Sequence, residues 1–476
     1  MKFYLSFAFV IIFVTLSAVS ASAQADTVIG QITNSNAQTF IGGVSGDGRF
    51  VVFESRGDLA TENPRNADGN LEIFLFDYAQ RRIFQITDTK ALLYDDQQPA
   101  TFSNIRVDIV NTRPVISNDG RWIAFSSNAT TSTPAVPDST NPGSFNGNAF
   151  TSPTPTPTPI SSPTPTPPAT PTPTPTPGAN PLTNDGNLEV WLYQIPAYAP
   201  VADLSAGDEL PLTNLSGGNF IAVTNTDPSQ LPIAGTLTTG PFIADDNHDA
   251  SISDDGGVLA FVSTRDLVSG GNSGPPANPR QDNDEIFTYS RSAAAFSQVT
   301  KTPRGTLANP IYNKNVTISG NGARVVFAST GDNPVNGIAS CGSTNPDTSR
   351  NEEIFYADLN GSGAPTGCKQ ITTTTPTNAG DPINILDLGR RMSRDGRYIA
   401  FDSYADLAGE NGNKNYTSFA LYLYDTTPGT FKRVGPRSDA DSGAGGGDLA
   451  HYPGFTDNDG SGTPSTLTLE TRLNIK

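Results

Sequence analysis

SGDGRFVVFES, at residues 45–55, is the stretch that decides the fold, and the chain repeats it four more times. The next copy, SNDGRWIAFSS at residues 117–127, keeps the Asp-Gly step and the Phe-x-Ser ending. The remaining copies begin at Ser253, Ser319 and Ser393. A second segment, EIFLFD at residues 72–77, recurs from Glu189, Glu285, Glu353 and Leu421. Self-similarity of this kind indicates a repeat architecture, in which each unit is one supersecondary module.

The turn chemistry makes each repeat a β-hairpin. An Asp-Gly or Asn-Gly step supplies two residues that tolerate positive φ, which a tight turn between twisted antiparallel strands requires. In the strand that follows, alternate residues of Phe50–Phe53 point to opposite faces, and both faces are apolar. Such a strand is covered on both sides, so its sheet is expected to lie between two neighbouring sheets.

Each repeat contains four short strands. In the first repeat the third strand lies at residues 72–77 and the fourth at residues 82–87, which end in Gln-Ile-Thr. The same ending recurs at residues 298–300 and 370–372, with looser copies at Leu212-Thr213 and Arg433-Val434. Four antiparallel strands that stack radially on their neighbours form one blade of a β-propeller.

Fragments of a sixth blade lie near the two ends of the chain. Residues 28–33, VIGQIT, read as a fourth strand without a blade before it, and residues 451–460 begin another repeat. We therefore predict an all-β fold, a six-bladed β-propeller of four-stranded antiparallel blades whose last blade is closed by the amino-terminal strand. No third strand of this last blade is recognisable, so it either has three strands or is incomplete.

Residues 1–23 read as a signal peptide. Lys2 gives a positive start, residues 3–19 are almost wholly apolar, and Ala21-Ser22-Ala23 is a small-residue cleavage site. A membrane anchor is the alternative, because the apolar stretch approaches spanning length. Cleavage predicts an exported protein that is periplasmic, at the cell surface or secreted, with residues 24–476 as one propeller domain and no transmembrane segment.

The composition excludes some partners. The formal net charge of −18 argues against nucleic acid and anionic membranes, because binding to either begins with basic residues that neutralise phosphates. We expect a monomer whose partner is a protein or an envelope component. The only cysteines, Cys341 and Cys368, are predicted to form a disulfide in an oxidising compartment, and a reactive or metal-binding thiol is the alternative.

The repeat pattern, seen best in SRDGRYIAFDS at residues 393–403, resembles the WD40-like PD40 repeats of TolB-type β-propellers. The resemblance covers nearly the whole mature chain. Long loops with Asp-Leu after the second strand, at Asp58, Asp266 and Asp406, make the chain more similar to secreted bacterial propellers of this superfamily than to TolB itself. The resemblance implies a propeller that presents its loop-rich faces to another protein or to a component of the cell envelope.

A low-complexity insertion interrupts the second blade between its second and third strands, at about residues 128–187. Its centre is a Thr-Pro run at residues 151–177. The segment has too few apolar residues to pack, so we predict a disordered, solvated loop. A spacer, a glycosylated stalk and a ligand for a Pro-binding partner are the other interpretations.

Candidate binding residues lie at one mouth of the predicted channel. The only two histidines, His248 and His451, occupy the same repeat position in blades three and six, just before the innermost strand, and Asp249 follows the first of them. We predict a binding site that contains these three residues, and a plain hydrogen-bonding role in the loops is the alternative. No catalytic residue can be assigned, because no nucleophile elbow, zinc-binding helix motif or phosphate-binding glycine loop is present in the sequence.

Calcium is the one cofactor that the sequence suggests. Asp68 in the first blade and Asp282 and Asp284 in the third precede their third strands and are candidate ligands, because calcium takes six to eight oxygen atoms. None matches the EF-hand spacing. Asp also favours tight turns through local hydrogen bonds, which is the other explanation.

These observations predict a non-enzymatic scaffold that binds through its loop faces or its channel mouth. One alternative is a polysaccharide lyase or hydrolase that uses channel-mouth carboxylates and His248. Another is a surface protein stabilised by calcium. Converging His, Arg and acidic side chains would favour catalysis, whereas a featureless wet channel would favour binding.

Overall fold

The fold was determined as a computed structural model. It describes residues 31–94, 106–129, 132, 136–145, 187–197, 214–226, 229, 244–272, 283–306, 309–346, 350–377, 382–389, 391–434, 451–455 and 467–471. The chain divides into two compact units, Met1–Asn36 and Ala37–Lys476. In the first unit only residues 31–36 are described, and they form no strand. The second unit contains every described strand.

The described part of the second unit is all β, apart from one 3₁₀ turn at Leu215–Gly217. The strands, in chain order, are β1 (Thr39–Val44), β2 (Phe50–Ser55), β3 (Glu72–Asp77), β4 (Arg82–Gln85), β5 (Leu92–Tyr94), β6 (Arg106–Asp108), β7 (Asn111–Ile116), β8 (Trp122–Ser127), β9 (Glu189–Gln194), β10 (Asn219–Ala222), β11 (Asn247–Ile252), β12 (Val258–Ser263), β13 (Glu285–Ser290), β14 (Ala295–Gln298), β15 (Asn313–Ile318), β16 (Arg324–Ser329), β17 (Glu353–Leu359), β18 (Pro365–Gln370), β19 (Asn384–Ile385), β20 (Tyr398–Ser403), β21 (Ala420–Asp425), β22 (Thr430–Arg433), β23 (His451–Phe455) and β24 (Leu467–Thr471).

Twenty of these strands form five four-stranded antiparallel sheets, each a meander of four strands that are consecutive in the chain. The sheets are β1–β4, β7–β10, β11–β14, β15–β18 and β19–β22. Two smaller hairpins, β5–β6 and β23–β24, account for the other four strands. The β5–β6 hairpin has no counterpart in the repeat pattern and was not predicted.

The second strand of each sheet has both of its faces buried, as the sequence predicted. In β8, for example, Phe125 belongs to the same buried apolar cluster as Phe50 and Ile73 of the first sheet, whereas Ala124 belongs to a cluster with Leu259 and Phe261 of the third. The same alternation continues from the third sheet to the fourth and from the fourth to the fifth. Each sheet is therefore a blade that its neighbours cover, and the fold is the predicted β-propeller.

The hairpin turns connect successive blades to one another. In the first turn, Ser45 Oγ donates to Asp47 Oδ1 and Gly48 adopts a φ of 73°, which a side chain would strain. Neighbouring turns also exchange main-chain hydrogen bonds. These run from Gly46 N to Asn118 O, from Asp119 N to Asp254 O, from Asp254 N to Gly320 O and from Gly320 N to Arg394 O. The Asp-Gly step thus shapes its own turn and also joins five blades at one face of the propeller.

A buried carboxylate joins the blades near the opposite face. The first residue of the third strand accepts hydrogen bonds from the loop after the fourth strand and from the asparagine that begins the next blade. At the seam between blades two and three, Glu189 accepts from Thr226 N at 2.7 Å and from Asn247 Nδ2 at 3.0 Å. The equivalent pairs at the other seams are Glu72 with Asn111, Glu285 with Asn313 and Glu353 with Asn384.

Two details of the second blade correct the sequence interpretation. Its fourth strand is β10, followed by Val223 and Thr224, and not the segment predicted at Leu212-Thr213, which lies outside the described residues. Part of the insertion between β8 and β9 is also packed rather than solvated, because Phe145 is 2% exposed and its ring centroid lies 4.8 Å from that of Trp191. Two phenylalanines, Phe145 and Phe150, within a largely polar sequence gave too weak a signal for a core contact. The Thr-Pro run itself lies outside the described residues.

Ring closure and the number of blades stay predictions. Residues 28–30 of the proposed closing strand lie outside the described part of the chain, and residues 31–33 are not in a strand. Where a sixth blade was predicted, the described residues form the β23–β24 hairpin, and β23 lies close to β20 of the fifth blade. Residues 1–23 and the cleavage site are likewise undescribed. Within the described residues, we find no helix with the length and apolar character needed to span a membrane.

Candidate binding site at the channel mouth

The first strand of each of the first four blades is interrupted by a β-bulge, and these bulges shape one mouth of the channel. The first strands of these four blades contact one another in turn, as the innermost strands of a propeller do. At the bulge, Arg113, Asp249 and Asn315 adopt left-handed backbone conformations with φ of 56°, 54° and 55°. Non-glycine residues rarely hold this conformation, and bulges next to functional sites often redirect a side chain. We therefore expect these positions to serve the channel.

Charged side chains from blades two and three meet at this mouth. Arg113 Nη2 lies 3.2 Å from Asp245 Oδ2, and Arg113 Nη1 lies 3.1 Å from Asp249 Oδ1. On the other side of Asp249, its Oδ2 lies 3.0 Å from His248 Nδ1. Both contacts of Asp249, with Arg113 and with His248, are within ion-pair distance. Neither has the alignment of a hydrogen bond.

The first blade contributes Glu54, which fixes the backbone of the cluster. Its Oε2 accepts a 2.6 Å hydrogen bond from Thr112 Oγ1 and another from the Arg113 main-chain N–H. Glu54 occupies the variable position of the Phe-x-Ser ending, where the second blade has Ser126. The strained backbone of Arg113 is thus held by a buried carboxylate of the neighbouring blade.

Burial and neighbouring charges act in opposite directions on the His248–Asp249 pair. Burial alone lowers the pKa of His248, but the carboxylates of Asp249 and Asp245 outweigh it, so the pKa of His248 lies above its ordinary value. Burial alone raises the pKa of Asp249, but His248 and Arg113 outweigh it, so the pKa of Asp249 lies below its ordinary value. Each member of the pair therefore favours the charged form of the other.

Asp284, which precedes β13, has a raised pKa, whereas the pKa of Asp249 is lowered. Burial raises its pKa, and the negative charges of Asp245, Asp249 and Asp246 raise it further, while His248 acts in the opposite direction. Asp284 therefore holds its proton more readily than an ordinary aspartate does.

The fourth blade presents a balanced pair at the equivalent position. Lys314, which follows the first residue of β15 as His248 follows that of β11, has its Nζ 2.7 Å from Glu352 Oε2. The same carboxylate accepts a 3.2 Å hydrogen bond from Tyr312 Oη. The fourth blade therefore places a cation and a carboxylate together at this position.

The predicted binding residues meet only in part. His248 and Asp249 are in contact, as described above, whereas His451 begins β23 and its side chain lies outside the described residues. Sequence reasoning missed Arg113, although it occupies the same repeat position as Asp249, two residues after the asparagine that begins the strand. An alignment of the repeats at that asparagine would have identified it.

The calcium prediction remains a prediction. Asp68 Oδ2 accepts a 3.0 Å hydrogen bond from Ala91 N, Asp284 lies at the channel mouth, and Asp282 is outside the described residues. Among the described residues, no group of three or more His, Cys, Asp or Glu side chains is arranged to hold a metal ion. The buried glutamates that begin the third strands bind asparagine and threonine of the neighbouring chain segments instead.

Cys341 and Cys368 form a disulfide, with their Cα atoms 5.0 Å apart. It ties the loop that precedes β17 to the outermost strand of the fourth blade, where Gln370 N also donates to Cys341 O. This pairing leaves neither thiol available for metal binding.

Comparison with known proteins gave structural neighbours only, since no family model and no curated protein matches the sequence. TolB from Acinetobacter baumannii is 14% identical with a TM-score of 0.33, over 84% of this chain and 55% of that chain. The β-propeller domain of the Trilobed protease from Pyrococcus furiosus is 10% identical with a TM-score of 0.32, over 88% and 74%. An oligogalacturonate lyase in complex with manganese is 11% identical with a TM-score of 0.30, over 86% and 81%.

These neighbours agree with the likeness to TolB-type propellers that the repeats predicted. This chain spans 55% of the length of that TolB chain. With identities and TM-scores this low, none of the three carries an argument about function, which has to come from the channel mouth itself.

Proposed function

We propose that the protein is an exported, non-enzymatic β-propeller scaffold that binds another protein or a cell-envelope component through its channel mouth. The observation that carries the proposal is the charged cluster of Arg113, His248 and Asp249, built on strained first strands and braced by Glu54. Buried ionic groups and strained backbone together are typical of functional positions rather than of loops that only connect strands. The packed blades around them present a preorganised surface.

Export follows from the signal-peptide pattern of residues 1–23, and the disulfide is consistent with an oxidising compartment. We place the protein in the periplasm, at the cell surface or outside the cell, and expect it to act as a monomer. Nucleic acid is not among its partners in this proposal, because the net charge of −18 repels phosphates.

Catalysis on a polysaccharide is the second candidate, and the convergence of His248, Asp249 and Arg113 is the observation that favours it. Two features weigh against it. The Arg113 guanidinium is already engaged by two carboxylates, so it does not offer a free positive charge to a substrate. The surrounding carboxylates would also repel a uronic-acid polysaccharide, which is the substrate class of a lyase.

The proposal is tested by capture of partners with the mature protein immobilised. Extracts of envelope and secreted proteins are passed over wild type, Asp245→Lys and Glu62→Lys. The two substitutions are matched, because each reverses an exposed carboxylate that pairs with an arginine, at 44% and 57% side-chain exposure. We expect wild type and Glu62→Lys to retain the same protein and Asp245→Lys to retain at least tenfold less.

Equal retention by all three variants, or no specific retention by wild type, contradicts the proposal. Catalysis is tested in parallel with neutral and acidic polysaccharides, by the release of new chain ends. Turnover by wild type that is lost in His248→Gln would replace the binding function with an enzymatic one.

A further inference from the structure

The chain contains five sequons, in which a serine or threonine lies two residues after an asparagine and the residue between them is not proline. In an exported protein this motif is the acceptor of N-linked glycans, and a glycan needs a surface position. The acceptor asparagines are Asn128, Asn214, Asn315, Asn360 and Asn415. Their places in the fold decide which of them a glycosyltransferase can reach.

Three of the five acceptor nitrogens are buried or already bonded. Asn128 is 0% exposed. The Nδ2 atoms of Asn315 and Asn415 donate to the main-chain carbonyls of Leu386 and Thr375, at 2.6 and 2.7 Å. An amide nitrogen that is buried or held in this way is not available to a sugar donor.

The sequon at Asn214 is exposed at its two ends and buried at its centre. Asn214 and Ser216 are exposed, but Leu215 between them is 0% exposed and belongs to the apolar cluster shared by blades one and two. A transferase binds the sequon as a short peptide segment. It cannot take up a segment whose middle side chain lies in the core.

The sequon at Asn360 forms the turn between β17 and β18, and Asn360, Gly361 and Ser362 are all exposed. A Cβ at Gly361 would meet no atom within 4 Å, so the space around the turn is open. Asn360 Oδ1 accepts from Ser362 N at 3.0 Å, from Ser362 Oγ at 2.7 Å and from Ala364 N at 3.0 Å. The side chain is thus fixed by its oxygen, while Nδ2 donates to no described residue.

We propose that Asn360 is an N-glycosylation site of the exported protein. The co-substrate is a sugar linked to a diphosphate carrier, supplied by a transferase of the export route. Asn360 Nδ2 forms a bond to the anomeric carbon of this sugar, the bond from that carbon to the phosphate oxygen breaks, and the diphosphate leaves with the electron pair. One Nδ2 proton passes to a basic group of the transferase. The inference rests on export and not on partner binding.

An acidic residue gives this sequon a second recognition feature. Asp358 lies two residues before Asn360, pairs with Arg324 at 2.6 Å and keeps 44% of its side chain exposed. An exposed carboxylate beside the acceptor offers the enzyme a charged contact. At the same position the other four sequons have uncharged residues, namely Ser126, Leu212, Asn313 and Asn413.

A glycan on Asn360 would stand at the start of β18, the outermost strand of the fourth blade. The outer edge of such a strand is a template for pairing with another chain. A bulky, hydrated glycan beside it hinders this pairing, so the modification would protect the edge of the blade.

The test is peptide mass spectrometry of the full-length protein purified from the exported fraction of its natural host. Trypsin cleaves after Arg350 and Lys369, so the peptide of residues 351–369 contains Asn360 and no other sequon. After reduction of the disulfide, we expect this peptide to carry at least one hexose or N-acetylhexosamine residue. Electron-transfer fragmentation, which leaves the sugar attached, should place it on Asn360.

Variants of the hydroxyl residue provide the control. Ser362→Ala should abolish the modification, whereas Ser362→Thr, which restores the hydroxyl, should retain it. Ser216→Ala makes the same change in the sequon of Asn214 and should leave the sugar on Asn360 unchanged.

An unmodified 351–369 peptide in wild type overturns the proposal, and so does a sugar that survives Ser362→Ala. Sugar found only in the Thr-Pro run overturns it as well. A mass gain that corresponds to deamidation alone would mean that the Asn360-Gly361 step cyclises and loses ammonia instead, and the exposed Asn411-Gly412 step, which is in no sequon, shows the extent of that reaction. All of these results leave partner capture by the channel mouth unaffected.

Discussion

Glu189 shows how one buried side chain joins two blades. It is 1% exposed and accepts hydrogen bonds from Asn187 Nδ2, Thr226 N, Thr226 Oγ1 and Asn247 Nδ2. We expect Glu189→Ala to lower the free energy of unfolding by about 3 kcal/mol, because it leaves several buried donors without an acceptor. Urea denaturation measures the loss. Glu62→Ala, at an exposed ion pair, should change it by less than about 0.5 kcal/mol. Equal effects of the two substitutions would show that the hydrogen bonds of Glu189 do not stabilise the contact between blades two and three.

Stability should also depend on pH through these glutamates. Burial raises the pKa of Glu72, Glu189 and Glu285 to about 7, an effect that their amide and hydroxyl donors only partly offset. The unfolded chain releases these protons near pH 4.5. Between pH 4.5 and 7 the folded state therefore holds more protons, so the free energy of unfolding falls as pH rises through this window.

We expect at least about 1 kcal/mol less stability at pH 8 than at pH 5. Urea denaturation at both values measures the difference. Glu285→Gln, which removes one of the titrating groups, should show a smaller fall than wild type. A stability that rises across this range, or a fall that Glu285→Gln does not reduce, would contradict the assignment.

At the scale of elements, the hairpin turns connect blades as well as strands. The fourth-blade turn has Gly320 between Asp254 of the third blade and Arg394 of the fifth, which form an ion pair across it. A Cβ at Gly320 would overlap Asp254 Oδ2 and Arg394 Cγ. We expect Gly320→Ala to lower the melting temperature by several degrees, whereas Gly361→Ala, where a Cβ meets nothing, should be neutral. An unchanged melting temperature for Gly320→Ala would show that the two side chains move aside freely.

The disulfide acts on the outer edge of the fourth blade. It closes a loop with a sequence separation of 27 residues. Because the cross-link lowers the conformational entropy of the unfolded chain, it should stabilise the folded state by about 3 to 4 kcal/mol. We expect the double variant Cys341→Ala and Cys368→Ala to lose most of this stability in guanidinium denaturation. Reduction of wild type should reproduce the loss, and it should leave the double variant unaffected. Insensitivity of wild type to reductant would mean that the cross-link does not limit unfolding.

Repeated elements were predictable and unique contacts were not. The Asp-Gly turns and the doubly apolar second strands gave the blades, because these local patterns occur five times in phase. The sequence showed the buried glutamates only as the first residues of a recurring strand, since their asparagine partners begin the next blade and lie far away in sequence. The fourth strand of blade two was misplaced because the insertions around it conceal the repeat spacing. At the channel mouth, the sequence placed His248 and Asp249 side by side but did not show their contact with Arg113, because that contact exists only where two blades meet.

For the whole molecule, the seams between blades are not equivalent. Four seams contain the glutamate–asparagine pair, but β21 of the fifth blade begins with Ala420, which pairs with Ser403 where the other blades have glutamate. The repeat that follows has Ala450 six residues before its turn threonine, the position of Asn247 relative to Ser253. Both members of the pair are thus missing from the sequence at the same seam.

We therefore expect the fifth blade to open before the central blades. In native-state hydrogen exchange, amides of β20 and β21 should exchange through an opening that costs less free energy than the opening of β12 and β13. The difference should amount to at least about 1 kcal/mol, the net worth of one buried hydrogen bond. Glu189→Ala is a control, because it removes the same hydrogen bonds at the seam between blades two and three. In this variant, the opening free energy of β12 and β13 should fall toward that of β20 and β21. Uniform exchange of all five blades in wild type would mean that apolar packing alone sets the strength of every seam.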